Sequence, residues 1–174
     1  DRLYQLFNEA PDLIGDPLPR CPEDIHLFWQ SWISRGWFDW EREGYPFWGN
    51  LHHTQTWWNY RHLENIQFFH YADMLADPQG EIERMASFLG IKISKEYLSE
   101  IIQHTSLSAM RQRDKESGTS PIFKEGFDFF FKGTNARWRE VLSEDELALY
   151  EKTKSEVLTA DCARWLEQGR AALM

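Results

Sequence analysis

The chain has 174 residues, of which 42% are hydrophobic and 16% aromatic, and its formal net charge is −9 at pH 7. This length is enough for one domain with a sizeable core. The acidic charge argues against nucleic-acid binding, which needs a broad basic face, although a local basic cluster can still bind a nucleotide.

The sequence does not indicate membrane, metal or disulfide chemistry. No apolar run reaches about 18 residues, so neither a transmembrane helix nor a membrane partner is predicted. Cys21 and Cys162 stand far apart and fit no disulfide framework, which favours reduced thiols in a cytoplasmic protein. The spacing of the six histidines is not typical of a metal site.

The first third of the chain predicts helices joined by irregular connections. Residues 2–10 predict a short helix, and residues 12–22, with three prolines and one glycine, predict a loop. Pro22, followed by two acidic residues, predicts the start of a helix that Gly36 ends. A second helix is predicted from about Trp48 to Tyr60. One face of this helix carries three residues, Leu51, Gln55 and Trp58.

One strand is predicted from its composition. Residues 65–71 combine aromatic and branched residues in a short run. A single strand leaves its backbone N–H and C=O groups unpaired. We therefore expect its partners in a parallel sheet that belongs to a part of the protein N-terminal to this chain.

Short helices are predicted to follow this strand. Pro78 predicts the start of a helix that Gly90 ends, and Ser94 predicts the start of the next one. Thr105 or Ser106 then caps a further turn.

Residues 111–126 are polar, contain two glycines and a proline, and predict a mobile loop. Ser143 and Glu146 have the spacing of a capping box that opens a helix. The last helix begins near Thr159 or Asp161.

Residues 129–138, Phe-Phe-Phe-Lys-Gly-Thr-Asn-Ala-Arg-Trp, suggest a binding loop. Gly133 lets the backbone approach a ligand closely, and Lys132 supplies a compact positive charge. Backbone N–H groups of such a turn can form an anion-binding concavity. These features fit a loop that clamps a phosphate-like group. Spacing alone favours an ordinary loop with core aromatics and a solvated lysine, because short motifs recur by chance.

Three segments, in order, resemble the cytosolic-type sulfotransferases that use PAPS (phosphoadenosine phosphosulfate). Residues 131–138 are similar to the family's Arg-Lys-Gly-Thr-x-Gly-x-Trp signature. Residues 68–75 are similar to its strand ending in Tyr-Glu-Asp-Met, and residues 104–110 to its His-Thr-Ser-Phe-x-x-Met segment. The resemblance covers most of residues 50–165.

This resemblance implies an α/β parent fold of the P-loop type, with a parallel sheet flanked by helices. Residues 1–174 then form the C-terminal portion of a single sulfotransferase domain, mainly α-helical with one or two strands. No G-x-x-x-x-G-K-[ST] or G-x-G-x-x-G pattern is present. The family's phosphate loop is therefore absent from this segment, and we expect the segment alone to be inactive.

The activity implied is transfer of a sulfuryl group from PAPS, as co-substrate, to a hydroxyl or amine of a small-molecule acceptor. The nucleotide-binding residues that the resemblance implies are Tyr71, Thr105, Ser106, Met110, Lys132 and Gly133. In the family, the Lys-Gly pair grips the 3′-phosphate, the tyrosine contacts the nucleotide, and the Thr-Ser segment lies along the adenine. From the residues alone, the tyrosine is equally a core aromatic, and the Thr-Ser segment equally a helix cap with a core methionine.

Two departures from the family pattern weaken the implied site. Phe131 stands where the family has arginine, which removes a bidentate phosphate contact, and Ala136 stands where it has glycine. We hypothesise that Arg137 supplies the missing charge. The family's catalytic histidine lies N-terminal to this segment, so no catalytic base is assigned.

The aromatic residues between Phe28 and Trp58 lie largely in connections and are candidates for the acceptor pocket. Packing between helices, or a contact in a homodimer, would also explain them.

Two other functions stay open from the sequence. One is a non-catalytic helical module that keeps the inherited fold for protein association. The other is a kinase-like enzyme that transfers phosphate and has a metal-binding acid near its phosphate loop.

Overall fold

The computed structural model describes residues 19–117, 130 and 134–173. The α-helices in these residues are α1 (Ile25–Ser34), α2 (Asn50–Trp58), α3 (Tyr71–Ala76), α4 (Pro78–Phe88), α5 (Lys95–His104), α6 (Leu107–Ser117), α7 (Glu144–Val157) and α8 (Ala160–Gln168). Two 3₁₀ helices span Arg137–Glu140 and Gly169–Leu173. The chain divides into two compact units, a first unit of Asp1–Ile66 with Ala136–Met174 and a second unit of Gln67–Asn135. The helix predicted for residues 2–10 lies outside the described residues.

The first unit is built from α1, α2, α7 and α8. Helix α7 packs against each of the other three, and α8 also packs against α2. The buried apolar side chains at these contacts include Ile33, Leu51, Trp58, Cys162 and Trp165. The ring centroids of Trp58 and Trp165 are 5.1 Å apart, so large aromatics fill much of this core.

Helix α1 begins later than Pro22 predicts. Asp24 is its N-cap, because its carboxylate accepts a hydrogen bond of 2.8 Å from His26 N. A carboxylate in this place satisfies a backbone donor that Pro22 cannot, and the helix therefore starts at Ile25. The end predicted at Gly36 falls two residues after Ser34.

The connection between α1 and α2 is held by a buried carboxylate. Glu43 is fully buried, and its Oε1 accepts from His52 N in the first turn of α2 at 3.0 Å. The N-cap residue Gly49 provides no side-chain cap of its own. A Cβ at Gly49 would lie 2.5 Å from Glu43 Oε1, so a side chain at this position would displace the carboxylate from its present place. Glu43 therefore caps α2 from the connection that precedes this helix.

A polar contact joins α2 to the start of α8. Trp58 Nε1 and Arg61 Nη2 both donate to Asp161 Oδ2, at 2.9 and 2.8 Å. One helical turn earlier, Gln55 Oε1 accepts from Thr159 N at 2.7 Å. Leu51 and Trp58 are buried. The predicted face of α2 is therefore confirmed.

Helix α7 has the predicted capping box. Ser143 Oγ accepts from Glu146 N, and Glu146 Oε2 accepts from Ser143 N at 2.9 Å. His26 Nδ1 also lies 2.9 Å from Glu146 Oε2. This bond ties the start of α1 to the start of α7.

The second unit is a series of helices in which α3 packs on α4, α4 on α5 and α5 on α6. Asp77 caps α4, which begins at Pro78 as predicted, and Ser94 caps α5 by accepting from Tyr97 N at 3.2 Å. Gly90, in a left-handed conformation with φ of 68°, follows the end of α4.

Two predictions for the second unit are wrong. Residues 66–70 lie in neither helix nor strand, Tyr71 opens α3, and the described residues contain no β-strand. A strand needs a neighbouring strand for its backbone groups, and the described part of the chain contains no second strand. Residues 111–117 are helical rather than a loop, because their long polar side chains are good helix formers and pair at i, i+4 (Gln112 to Glu116, 2.7 Å).

Glu43 gives the first prediction. Burial raises the pKa of its carboxyl group, so the stability it contributes is largest at low pH and is lost as the pH rises through that pKa. Glu43→Gln keeps an acceptor for His52 N without a buried charge and should leave the free energy of unfolding at pH 7 unchanged or higher. Glu43→Ala should lower it by about 1–2 kcal/mol, as expected for a lost cap. Urea denaturation measures both variants, and equal destabilisation by Gln and Ala would contradict the assignment.

Asp161 gives a second prediction, in which stability depends on pH in the direction opposite to that of Glu43. The hydroxyl of Thr159, followed by the indole of Trp58, holds the pKa of Asp161 at about 2, below its ordinary value of 3.8. The stability from Asp161 is therefore present above pH 4 and is lost as the pH falls toward 2. Asp161→Asn should remove this loss, so that wild type and variant converge in unfolding free energy between pH 4 and 2. The exposed Asp39→Asn is the matched control, and an acid dependence that Asp161→Asn leaves intact would contradict the prediction.

Candidate functional site

The turn between α5 and α6 carries two of the residues predicted to bind the nucleotide, Thr105 and Ser106. Thr105 Oγ1 donates to Ile101 O at 2.8 Å. Ser106 Oγ donates to Gln103 O at 2.7 Å and accepts from Ala109 N at 3.3 Å, so it caps α6. Both hydroxyl protons are thus committed to the backbone, and the hydroxyls can offer a ligand only lone pairs.

Helix α6 continues from this turn with Met110 and two arginines. Met110 is partly buried in the first turn of the helix. Arg111 Nε donates to Phe130 O at 2.7 Å, and Arg113 Nη2 donates to His104 O at 3.1 Å. Each arginine therefore binds a backbone carbonyl outside its own helix.

Tyr71 occupies the first position of α3 and is 53% exposed. The His70 ring caps this helix by accepting from Ala72 N at 3.2 Å. The tyrosine ring is therefore available to a ligand from solvent, whereas a core aromatic would be covered.

The segment before Tyr71 is held by a buried ion pair. Arg84 Nη2 donates to Phe68 O and to Glu81 Oε2, each at 2.7 Å, and its guanidinium lies 4.1 Å from the centroid of the Phe69 ring. Glu81 is fully buried. The sequence prediction missed this pair because α4 was interpreted from its apolar stripe. The i, i+3 spacing of a glutamate and an arginine was the available signal.

Lys132 and Gly133 lie outside the described residues, between Phe130 and Thr134. After them, Ala136 has φ of 63° and ψ of 20°, a left-handed conformation that favours glycine. This is the position where the family pattern has glycine. The exposed Arg137 then begins the 3₁₀ helix.

The structure places Tyr71, Thr105, Ser106 and Met110 in the second unit. Three of them belong to one turn and the helix it starts. Among the described contacts, none joins Tyr71 to that turn. The proposed roles of these residues in nucleotide binding stay predictions.

The aromatic connection of the first unit, residues 37–48, exposes several rings. The exposed members are Trp37, Phe38, Trp40, Phe47 and Trp48. The rings of Phe38 and Trp40 stack at 4.6 Å, and Glu41 Oε2 accepts from the backbone N of Trp37 and of Phe38. These five rings therefore lie at the surface, whereas Glu43 of the same connection is buried.

In the part of the chain that the structure describes, no group of three or more His, Cys, Asp or Glu side chains could hold a metal ion. No helix there is long and apolar enough to span a bilayer.

Residues 23–161 match the family model described as a sulfotransferase domain. This match includes most of the chain, and the chain belongs to the sulfotransferase family. A glycolipid sulfotransferase of Mycobacterium bovis is 34% identical over 123 residues, which are 69% of this chain and 38% of that protein. Sulfotransferase 1 family member D1 of Mus musculus is 30% identical over 155 residues, which are 86% of this chain and 46% of that protein.

The fold is similar to that of a solved sulfotransferase. The crystal structure of mouse sulfotransferase SULT7A1 complexed with PAP matches with a TM-score of 0.65 and 16% identity, over 96% of this chain and 56% of that one. The family expectation is thus confirmed, while the parallel sheet of the parent fold is not seen in the described residues. The chain spans less than half the length of the two relatives above.

The left-handed Ala136 gives a third prediction. Ala136→Gly removes the steric cost of this conformation, about 1 kcal/mol, and part of the gain is offset by the greater freedom of glycine in the unfolded chain. We expect the free energy of unfolding to rise by up to about 1 kcal/mol in urea denaturation. The control, Ala148→Gly on the exposed face of α7, should lower it by about 1 kcal/mol. Destabilisation of both variants would show that position 136 has no need of glycine.

Proposed function

We propose that the protein to which this chain belongs transfers a sulfuryl group from PAPS to a hydroxyl or amine of a small-molecule acceptor. The match of residues 23–161 to the sulfotransferase domain carries this proposal. Two contacts in the candidate site accompany this match. Ser106 caps α6, and Arg111 of the same helix donates to the carbonyl of Phe130, which precedes Lys132 by two residues in the sequence.

The chain's own residues fit a nucleotide in three ways. The exposed ring of Tyr71 offers an aromatic face to a base. Thr105 and Ser106 keep lone pairs that can accept from an adenine amino group. Lys132 and Gly133 supply charge and close backbone approach for the 3′-phosphate. Arg137 is a further candidate for phosphate charge.

The proposed transfer parallels phosphoryl transfer. The bond between sulfur and the donor phosphate oxygen breaks while a bond forms between sulfur and the acceptor oxygen or nitrogen, and the acceptor loses its proton to a base. Catalysis then consists of positioning the two partners and stabilising charge on the leaving phosphate. In this chain, Lys132 is the proposed group for binding the donor's 3′-phosphate, whereas the base and the group that stabilises the leaving 5′-phosphate are unassigned.

The exposed aromatic connection supports an acceptor with an apolar part. Loops that carry aromatics over a rigid scaffold commonly shape small-molecule sites. The backbone bonds made by Glu41 and Glu43 keep this connection in place.

Calorimetric titration of this chain with phosphoadenosine phosphate, the spent donor, tests the proposal. Adenosine monophosphate is the matched ligand because it lacks the 3′-phosphate. We expect micromolar binding of phosphoadenosine phosphate and at least about tenfold weaker binding of the monophosphate, since a charged hydrogen bond contributes about 1.5–3 kcal/mol. Lys132→Ala should remove this preference, whereas the exposed Lys92→Ala should keep it.

Equal binding of the two nucleotides, or binding of neither, would contradict the proposed donor site. Preference for adenosine diphosphate over phosphoadenosine phosphate would favour the kinase-like alternative. Sulfate transfer from labelled PAPS to hydroxyl and amine acceptors, measured on the product of the whole gene, tests the reaction.

A further inference from the structure

The residue that follows α1 is an arginine whose guanidinium lies on an aromatic ring. Arg35 has an extended backbone, and its carbonyl accepts a hydrogen bond of 2.9 Å from Tyr45 N. Gly44 N donates to the carbonyl of Trp32 at 2.6 Å, so the aromatic connection returns to the end of α1. These two backbone bonds bring Tyr45 beside the Arg35 side chain, and the guanidinium carbon lies 3.9 Å from the centroid of the tyrosine ring.

The stacked guanidinium of Arg35 keeps its capacity for hydrogen bonds. Stacking uses the flat face of this group, whereas its five N–H donors point outward in the plane. The side chain is exposed, and within the described residues no carboxylate forms an ion pair with it. The ring therefore orients the guanidinium, and its donors face solvent.

Two of the three carboxylates in the aromatic connection bind backbone groups. Glu41 accepts from two backbone N–H groups of the connection, and Glu43 is buried against the first turn of α2. Asp39 is exposed. Arg35 is thus a cation that the described carboxylates leave without a counter-charge.

Exposed rings adjoin this arginine. Trp37 stacks with Tyr45, with centroids 5.8 Å apart and an angle of 19° between the planes, and it is 37% exposed. The next rings along the connection, Phe38 and Trp40, form a second stacked pair. A cation with available donors beside flat apolar surfaces fits a ligand that joins an anionic group to an aromatic or other apolar body.

We infer that Arg35 binds an anionic group of the acceptor, while Tyr45 and Trp37 contact its apolar body. The acceptor class is then an aromatic or amphiphilic compound with a carboxylate, phosphate or sulfonate besides its reacting hydroxyl or amine. The inference rests on the proposed function, because it takes the aromatic connection as the acceptor surface. Arg35 determines specificity in this arrangement and has no part in the transfer step.

The first test uses two fluorescent probes that differ in one anionic group. Anilinonaphthalene sulfonate has this group, and phenylnaphthylamine is the same ring system without it. Arg35→Met should weaken binding of the sulfonate about fivefold, the size of one exposed ion pair, and change the neutral probe by less than about twofold. Arg35→Lys, which keeps the charge without the planar fork, should recover part of the affinity.

Two further variants control this test. Arg42→Met removes an exposed arginine of the same connection and should leave both affinities at their wild-type values. Trp37→Ala should weaken both probes, because both lose apolar surface. An equal effect of Arg35→Met on the two probes, or an equal effect of the two arginine variants on the sulfonate, would overturn the inference.

A second test asks whether the anion site is the acceptor site. Sulfate transfer by the product of the whole gene should be inhibited by the sulfonate probe in competition with the acceptor. Arg35→Met should raise the inhibition constant about fivefold. Inhibition that excess acceptor does not relieve would overturn the inference. Binding of the chain to phosphatidylglycerol vesicles that Arg35→Met abolishes would indicate a membrane surface as the occupant and would also overturn it.

The failure of the inference and the failure of the proposed function give different results. A whole gene product that transfers no sulfate, with a chain that binds the sulfonate through Arg35, refutes the proposed function and leaves the anion site. A gene product that transfers sulfate, with an Arg35→Met variant that binds the sulfonate as the wild type does, refutes the inference alone.

Discussion

The second unit depends on how one backbone carbonyl, that of Phe68, is satisfied. No strand lies beside it in the described part of the chain, and Arg84 donates to it at 2.7 Å. The charge of Arg84 is balanced by Glu81, which is fully buried. Buried charges are tolerated when they are paired and hydrogen-bonded, and a backbone acceptor without a partner is costly. The start of α3, and with it Tyr71, takes its place from this arrangement.

The same kind of bond recurs at the other segments of interest. Arg111 donates a hydrogen bond to the carbonyl of Phe130, and Glu43 accepts one from the N–H of His52. In each case a charged side chain binds a backbone group in another part of the sequence. Such bonds are strong because one partner is ionised. Each of these side chains thus adds a charged hydrogen bond to a backbone group outside the regular hydrogen bonds of a helix.

Sequence could predict the features whose partners are close in the chain. The Ser94 cap and the Ser143–Glu146 capping box are formed within three residues, and both are found as predicted. The strand at 65–71 was wrong because a strand depends on distant partners, which composition does not specify. Glu43 and Arg111 were missed as structural anchors because their backbone partners lie nine and nineteen residues away, and no local sequence pattern marks a partner at that separation. For the nucleotide site, the order of three motifs indicated the family, while the roles of Lys132 and Gly133 stay predictions.

The close approach of Glu43 to Gly49 couples the substitutions that these two positions can accept. Any side chain at 49 would occupy the space of the carboxylate that caps α2. A larger residue at position 49 therefore requires the Glu43 carboxylate to move or to be replaced, and a chain without Glu43 has lost the cap. A replacement such as serine at 49 could supply its own cap once the glutamate is gone. Glu43 with Gly49 is one way to cap α2, and a capping side chain at 49 without Glu43 is another. Evolution between them by single substitutions passes through a less stable chain.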